Sequence, residues 1–307
     1  MQQTKEMRLV YSEFLETYGQ QDERIVAVEA DLASSMTTNR LSDSLGKRYV
    51  NVGIMEQEMI GVAAGLSVLG YKPYIHTFGS FASRRVFDQV FLSLGYAQLG
   101  ATLIGSDAGV AAEMNGGTHM PFEDLGLMRL IPNAWVYEVC DPVQFHAVLQ
   151  STLTTNRLTY IRTIRKAPQV VYQGDEDFSK GYCIVREGSD ATIVASGIMV
   201  SEALAAAGLL EELGISTQVI DLFRLKPIAA DFIEQIVGRP VITAENHNSS
   251  GGLGTAVCEL LATRGDTPVH RVGVEESFGQ VGQQAYLMEQ YGLTARHIAE
   301  KVQAALR

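Results

Sequence analysis

The chain has 307 residues, of which 46% are hydrophobic and 19% are charged, so it is long enough for two domains with ordinary hydrophobic cores. Its formal net charge of -11 argues against nucleic acid or an anionic membrane as a partner, because phosphate groups are held by clustered Lys and Arg. The first residues lack the apolar core of a signal peptide, and no apolar run approaches the ~20 residues of a membrane span. We therefore expect a cytoplasmic protein.

The cysteines and histidines show none of the spacings typical of a metal centre. Cys140, Cys183 and Cys258 are odd in number, far apart and free of a CxxC pair, which argues against a disulfide framework or a structural zinc site. The histidines include no HExxH pattern. We expect reduced, buried thiols and no metal ligands in this chain.

In the first half of the chain, short runs rich in β-branched or aromatic residues alternate with helical patterns. The predicted strands are residues 25–30, 49–52, 73–78, 101–106, 134–139 and 158–163. Residues 81–99 and 142–153 space their apolar side chains near the helical period, which predicts helices. This alternation predicts an α/β fold with a mainly parallel sheet flanked by helices.

A polar stretch, RKAPQVVYQGDEDFSKG at 165–181, interrupts the pattern as a linker would. We predict a first domain at 1–165, a linker at 166–185 and a second α/β domain at 186–307. In the second domain the predicted strands are 191–196, 216–221, 240–245 and 269–274, and the predicted helices are 200–213 and a closing one from about Thr294.

Two glycine-rich segments could carry chemistry. The run NSSGGLGTAV (248–257) weakly fits an NAD-binding oxidoreductase, but Val257 stands where a third small residue should pack. The loop 106–122 is long and follows a predicted strand, and ligands of open parallel sheets bind at the carboxyl ends of strands. His119 in this loop lies close to Pro121, so it is either a solvated histidine or one held rigidly for binding.

Glu56 stands before a helical segment, Met59 to Leu69, that is almost entirely apolar, Ala or Gly. We expect that helix to be buried almost all round. From the residues alone, Glu56 either caps the helix dipole or takes part in chemistry.

Six segments carry a family resemblance. They are VEADLASS, NVGIMEQEMIGVAAGL, HTFGSFASRRVFDQV, NGGTHMPFEDL, ENHNSSGGLGTAV and SFGQVGQQAYLMEQYGL. Taken in this order, they resemble the pyrimidine-binding and C-terminal halves of the transketolase family, whose members use thiamine diphosphate. The resemblance covers essentially the whole chain and implies a pyrimidine-binding domain followed by a transketolase C-terminal-like domain.

The resemblance implies roles toward the cofactor. Glu56 matches the glutamate that hydrogen-bonds the aminopyrimidine ring and shares a proton with its N1′ atom, a catalytic task that a dry site strengthens. Phe78 and Phe81 match aromatic residues that line the binding site of the pyrimidine ring. Asp31, with the adjacent Leu32, matches a position near the thiazolium.

It also implies roles toward the substrate. Arg8 and Arg165 match two arginines that grip a sugar phosphate, a task suited to a planar fork of donors. Ser35 matches a serine that contacts the same phosphate. His119 matches a catalytic histidine near the hydroxyls of the donor sugar, and Arg85 is expected to face the substrate.

The chain departs from the family at two positions that contact the sugar phosphate. Full-length transketolases have Asp where this chain has Asn115 and His where it has Asp107. We expect Asn115 to bind substrate despite this difference. A carboxylate at 107 would repel phosphate, which argues against an ordinary pentose phosphate donor.

A larger departure is the lack of the G-D-G motif that, about 25 to 30 residues before an Asn, carries magnesium and the cofactor's diphosphate in this family. We therefore expect the C-terminal subunit of a split transketolase, inactive alone. Its partner, an N-terminal subunit, would hold thiamine diphosphate through Mg²⁺ or another divalent ion, in an α2β2 assembly. The reaction expected is transfer of a two-carbon ketol unit from a ketose phosphate, or a related anionic ketose, to an aldose.

Three related alternatives share much of this evidence. A 1-deoxyxylulose-5-phosphate synthase is favoured by GIMEQ and GYKPYI, although such synthases are normally one chain. The β subunit of a 2-oxoacid dehydrogenase would share the fold and Glu56. A non-catalytic partner subunit would explain the missing motif, but not the retained Glu56 and His119.

Overall fold

The strands of the protein form two sheets, one of seven strands and one of five, in a computed structural model that describes residues 5–262 and 267–307. Residues 1–4, where the predicted first domain starts, lie outside the described residues. None of the helices in the described ranges is long and apolar enough to cross a membrane.

The elements of the described chain are as follows. The strands are β1 Ile25–Glu29, β2 Tyr49–Asn51, β3 Lys72–Phe78, β4 Ala101–Ser106, β5 Trp135–Glu138, β6 Leu158–Arg162, β7 Cys183–Arg186, β8 Ala191–Ala195, β9 Thr217–Asp221, β10 Arg224–Lys226, β11 Val241–Asn248 and β12 Val269–Val274. The helices are α1 Met7–Gln21, α2 Leu41–Leu45, α3 Glu56–Val68, α4 Gly79–Ala82, α5 Phe87–Gln89, α6 Asp124–Arg129, α7 Pro142–Thr152, α8 Met199–Glu211, α9 Leu253–Leu261, α10 Gln284–Gln290 and α11 Ala295–Ala305. A π-helix, Val90–Tyr96, follows α5.

Both sheets are parallel except at one edge. The first has the order β10-β5-β6-β4-β3-β1-β2 and the second β12-β11-β8-β9-β7. Only β10 against β5 and β7 against β9 run antiparallel among the strand pairs of the described residues. The predicted fold class, two mainly parallel sheets flanked by helices, is confirmed.

Strands β7 and β10 were not predicted. Strand β7 begins at Cys183, inside the predicted linker, and β10 returns from the second half of the chain to extend the first sheet, with Arg224 opposite Tyr137. Strand β10 has three residues, of which only Leu225 is apolar, so it gives no strand signal in the sequence. Strand β7 contains Ile184 and Val185 but is only four residues long, and it follows the polar stretch that was interpreted as a linker. The domain boundaries therefore stay a prediction.

The register of the first sheet aligns apolar side chains in one row. Val28 lies opposite Ile75, Ile75 opposite Leu103, and Leu103 opposite Tyr160. These side chains are buried in one cluster with Met59 of α3 and its neighbours. Because both faces of a parallel sheet are covered, its strands read as continuous apolar runs, which is why they could be predicted.

The predicted continuous helix over 81–99 is wrong. The chain forms α4, breaks at Ser83, forms the short α5 and continues as the π-helix. The Ser83 hydroxyl donates to the carbonyl of Gly79 at 2.7 Å, a local bond that competes with helix continuation. Apolar spacing alone does not reveal such a break.

The prediction that α3 is buried almost all round is wrong for the single chain. Met59, Ile60 and Ala63 are fully buried, but Gly61, Gly65 and Val68 are exposed. The exposed residues of α3 also include Gln57 and Glu58 in its first turn. Of the cysteines, which are all free thiols, only Cys140 is buried, so the expectation of buried thiols holds there alone.

A fully buried arginine joins the two halves of the chain. Arg162, the last residue of β6, donates from Nε to Oδ2 of Asp124 at 2.8 Å and from Nη1 to Glu138. Its Nη2 donates to the carbonyl of Asn246 at 2.9 Å, and Ser196 donates to Glu138. Asn246 and Ser196 belong to the second half, so this network fixes one half against the other.

Replacing Arg162 with Met should destabilise the protein by about 3–5 kcal/mol, because Asp124 and Glu138 would remain buried without a cation. Chemical denaturation would measure the loss. The control is Arg296→Met, since Arg296 pairs with Glu289 and Glu300 on the surface and its loss should cost at most about 1 kcal/mol. Equal losses for the two variants would contradict the role of the buried network.

Candidate functional site

The predicted site residues converge on one edge of the first sheet. The loops after five of its strands carry them: Asp31, Leu32 and Ser35 follow β1, Glu56 follows β2, Phe78, Phe81 and Arg85 end or follow β3, Asn115 and His119 follow β4, and Arg165 follows β6. These strands are parallel, so their carboxyl ends meet at one edge. The topology therefore collects residues that are far apart in sequence.

Three rings form a cluster at this edge. The ring centroids of Phe78 and Phe81 lie 6.0 Å apart, and His119 lies 5.0 Å from Phe81 and 6.0 Å from Phe78. A hydrogen bond of 2.8 Å joins Nδ1 of His119 to the hydroxyl of Thr118. The cluster brings together predicted residues from the loops after β3 and β4.

Glu56 is connected to this cluster through Arg85. Glu56 is the first residue of α3 and only 4% exposed, and the helix N-terminus favours its negative charge. Nη1 of Arg85 donates to its Oε1 at 2.7 Å, and the guanidinium lies 3.8 Å from the Phe81 ring centroid. No hydrogen bond to Oε2 of Glu56 is found within the described part of the chain, so this oxygen is available to a ligand.

A cavity of about 520 Å³ opens beside Glu56. Its lining includes Ile54, Met55 and Arg85, and the first two side chains are 75% and 55% exposed. A carboxylate, apolar side chains and nearby phenylalanine rings suit a flat, nitrogen-containing ring such as an aminopyrimidine. Because Arg85 covers one face of Phe81, such a ring would use the other face or displace the guanidinium.

The residues present do not form a metal centre. In residues 5–262 and 267–307, no group of three or more His, Cys, Asp or Glu side chains is arranged to hold a metal ion.

The two predicted arginines lie together, and each is paired with a carboxylate. Arg165 binds Asp107 through two contacts, Nε to Oδ1 at 2.8 Å and Nη2 to Oδ2 at 2.7 Å. The backbone N–H of Arg8 donates to the carbonyl of Arg165 at 3.2 Å, while its Nε donates to Glu6 at 2.7 Å. The Arg165 guanidinium lies 5.1 Å from the ring centroid of Phe78, so this arginine pair borders the aromatic cluster.

Asp107 is the unusual member of this group. It is 4% exposed, and burial raises the pKa of its carboxyl although Arg165 opposes that shift. Its backbone has a φ of 56°, in the left-handed region that Asp and Asn tolerate better than most residues.

Four predicted residues lie at the same edge without joining the cluster. Asp31, with a φ of 60°, donates its backbone N–H to Asn51 at 3.1 Å, and the N–H of Ser35 donates to the carbonyl of Leu32 at 2.9 Å. Asn115 is exposed and donates to backbone carbonyls of its own loop. Among the described residues, no hydrogen bond, ion pair or ring contact joins these side chains to the three rings.

Sequence reasoning missed Arg84. Its Nη2 donates to the carbonyls of Gly117 and Thr118, both at 3.2 Å, and its Nε pairs with Glu123 at 2.8 Å. It therefore ties the segment after β3 to the loop that carries His119. The only signal in the sequence is the adjacent pair Arg84-Arg85, which does not tell the two roles apart.

Sequence reasoning also missed a buried polar row beneath the site. His76 contacts Glu29 through Nδ1 at 3.1 Å and Ser106 through Nε2 at 3.0 Å, and Thr38 donates to Glu29 at 2.6 Å. These groups satisfy one another between β1, β3 and β4. Polar residues within buried strands were the available signal.

The structure argues against the NAD-binding interpretation of 248–257. The N–H groups of Leu253 and Gly254 at the start of α9 donate to the Glu245 carboxylate at 2.7 and 2.9 Å. A Cβ at position 252 would lie 2.1 Å from Glu245. The helix N-terminus that would hold a pyrophosphate is filled by the protein's own carboxylate, and the glycines serve close packing.

The second half of the chain packs against the loop that carries His119 and supports it. A Cβ at Gly279 would lie 2.8 Å from Cβ of Met120 and 3.0 Å from Cα of Gly117. The N–H of Met114 donates to the carbonyl of Gly282 at 2.9 Å. The loop and the segment before α10 therefore hold each other in place.

Replacing Gly279 with Ala should loosen this loop, because the added methyl must displace Met120 or Gly117. Amide hydrogen exchange of residues 112–120 should accelerate by about tenfold or more. The control is Gly208→Ala in α8, where a Cβ meets nothing within 4 Å. Unchanged exchange in the Gly279 variant would show that the contact does not support the loop.

Comparisons with known proteins match both halves of the chain to one family. The family model of the transketolase pyrimidine-binding domain matches residues 3–169, and that of the transketolase C-terminal domain matches 181–298. The chain is 43% identical, over 95% of its length and 92% of the relative's, to the 6-deoxy-6-sulfo-D-fructose transketolase subunit SqwH of Clostridium sp. (strain MSTE9). It is 30% identical, over 95% of both chains, to a subunit of the apulose-4-phosphate transketolase of Phocaeicola vulgatus.

Among solved structures, one described as a split gene transketolase, inactive beta4 tetramer, matches with a TM-score of 0.88 and 37% identity over 99% of both chains. The similarity thus extends over both halves of the chain and includes the loops that form the candidate site. The chain belongs to the transketolase family, with that family's pyrimidine-binding and C-terminal domains in one polypeptide.

Proposed function

We propose that this chain is one subunit of a thiamine diphosphate-dependent transketolase, a transferase that moves a two-carbon ketol unit from an anionic ketose to an aldose. The observation that carries the proposal is the continuous set of contacts from Glu56 through Arg85 and Phe81 to His119. Relatives that are named transketolase subunits, and that the chain matches over nearly their whole length, support it.

We propose that this chain holds the ring portion of the cofactor. Phe78 and Phe81 would stack on the aminopyrimidine, and Asp31 and Leu32 would lie near the thiazolium. When bound, thiamine diphosphate supplies the carbon centre that accepts the ketol unit. Glu56 would bind N1′ of the aminopyrimidine through its available Oε2 and hold a proton there, since its burial at the start of α3 keeps competing water away.

Two further side chains would handle protons and orientation. Because Nδ1 of His119 is engaged by Thr118, its Nε2 is the nitrogen left to contact hydroxyls of the donor sugar and move a proton there. Arg85 orients Glu56 through its ion pair and lies where the substrate would enter. At the far end, Arg8, Ser35, Arg165 and Asn115 would contact the acidic end of the sugar.

We also propose the partners. A separate N-terminal subunit would carry the diphosphate and the magnesium ion, and two copies of each subunit would form an α2β2 assembly in the cytoplasm. The exposed face of α3, with Gly61 and Gly65, supports close packing of another chain against this helix. The match to a split gene transketolase described as an inactive tetramer fits a subunit that needs its partner. We propose that the pyrimidine-binding domain ends at residue 165 and that the C-terminal domain begins at residue 186, with a linker between them.

The isolated subunit should neither retain thiamine diphosphate tightly nor transfer ketol groups, because its sequence lacks the G-D-G motif that would hold the diphosphate. Calorimetric titration with cofactor and magnesium, followed by a transfer assay with and without the N-terminal subunit, tests this. We expect cofactor binding and transfer only when both subunits are present. Micromolar or tighter binding by the isolated chain, with turnover, would refute the proposed division of labour.

Glu56→Gln should lower transfer activity at least ~10²-fold in the assembled enzyme, because Gln keeps the size and one hydrogen bond but cannot share the proton. Folding and subunit assembly should stay nearly intact, as judged by thermal unfolding and sedimentation. Exchange of the cofactor's C2 proton for deuterium separates this effect from sugar binding. If the variant binds cofactor and exchanges as fast as the wild type, Glu56 is only a helix-end charge.

A further inference from the structure

The arginine that would meet the acidic end of the sugar is already engaged by a buried carboxylate. Both Arg165–Asp107 contacts are short, and the side chain of Arg165 is 29% exposed while that of Asp107 is 6% exposed. The guanidinium of Arg165 therefore borders the site while the carboxylate of Asp107, on its buried side, remains ion-paired with it. Asp107 is buried and ion-paired with Arg165, so its charge stays beside the guanidinium rather than in solvent when an anion approaches.

Two other basic side chains near Arg165 are also paired with carboxylates. Arg8 pairs with Glu6, and Lys166 in the neighbouring turn pairs with Glu113. The Arg8 and Lys166 pairs are partly exposed, so solvent screens them and their side chains can reorient. The buried Asp107 is thus the carboxylate whose charge an incoming anion cannot avoid.

The anionic tails of sugars differ in charge. A phosphate monoester carries about -1.5 to -2 charges at pH 7, whereas a sulfonate carries a single charge. Repulsion by Asp107 and attraction by Arg165 both scale with that charge and largely offset each other, so the ion pair gives a phosphate little of the electrostatic gain that an unpaired arginine would supply. The cost of taking the tail out of water, by contrast, is larger for the more highly charged phosphate. A carboxylate beside the arginine therefore disfavours binding of a phosphate tail more than binding of a sulfonate tail.

We propose that Asp107 is a specificity-determining residue that makes this subunit select ketoses with a singly charged tail, such as a sulfonate, over those with a phosphate ester. The proposal rests on the proposed transketolase function and adds the class of donor. Arg165, held in a fixed orientation by Asp107, still presents its outer donors to the oxygens of the tail.

The test uses the assembled enzyme with its N-terminal subunit, an aldose acceptor and two ketohexoses that differ only at carbon 6. D-fructose 6-phosphate and 6-deoxy-6-sulfo-D-fructose compete in one mixture, so the ratio of their kcat/KM values does not depend on how much enzyme is folded or assembled. We expect the wild type to favour the sulfonate by about tenfold or more. Asp107→Asn should shift the ratio toward the phosphate by roughly tenfold.

Asn suits the left-handed backbone at this position, so the substitution removes the charge with little strain. Asp231→Asn is the matched control, because Asp231 pairs with Lys180 on the surface and its loss should leave the ratio unchanged. Asp107→Ser provides a second neutral variant, for which we expect a shift in the same direction.

The outcomes separate the two proposals. If neither sugar is a donor in the presence of the partner, the proposed function is wrong. If transfer occurs but the wild type favours the phosphate, or both neutral variants keep the wild-type ratio, the role of Asp107 is overturned. Loss of all turnover in both variants, with the control active, would also overturn it, since Asp107 would then be needed for catalysis or folding rather than selection.

Discussion

The buried ion network around Arg162 is the interaction on which the rest of the site depends. An unpaired charge in this position would be strongly unfavourable, so the side chains around Arg162 must adopt one arrangement. That arrangement fixes the carbonyl of Pro121, to which Nη2 also donates, and hence the end of the loop that carries His119. It fixes Asn246 as well, and with it the second half of the chain. Arg165 follows three residues after this anchor.

Each arginine at the candidate site has its own carboxylate. Besides the pairs of Arg85 with Glu56 and Arg165 with Asp107, Arg84 binds Glu123. Such pairing orients the guanidinium groups before a ligand arrives, which lowers the entropy lost on binding. It also leaves the site close to neutral, so an anionic ligand gains little from unpaired positive charge. Preorganisation and charge selection thus come from the same contacts.

The second half of the chain contributes to the site through contacts with the first sheet and with the loop that carries His119. Its β10 extends the first sheet, its Asn246 accepts from Arg162, and Gly279 and Gly282 support the loop before His119. These contacts give the second half of the chain a structural role in positioning the loop that carries His119. The candidate site residues themselves lie at the carboxyl edge of the first sheet, where the loops of five strands meet.

The sequence by itself determined the fold class, because strands buried on both faces of a parallel sheet must be apolar throughout, as in β4 and β6. It also predicted which loops carry the site, since segments such as 51–66 and 115–125 resemble a family pattern. Only the tertiary structure decided the break at Ser83 and the return of β10, which depend on local side-chain bonds and on pairing with distant strands. The tertiary structure also decided the ion pair of Arg165 with Asp107. These residues are 58 positions apart in sequence and meet because β4 and β6 are neighbouring strands, which no local sequence pattern reveals.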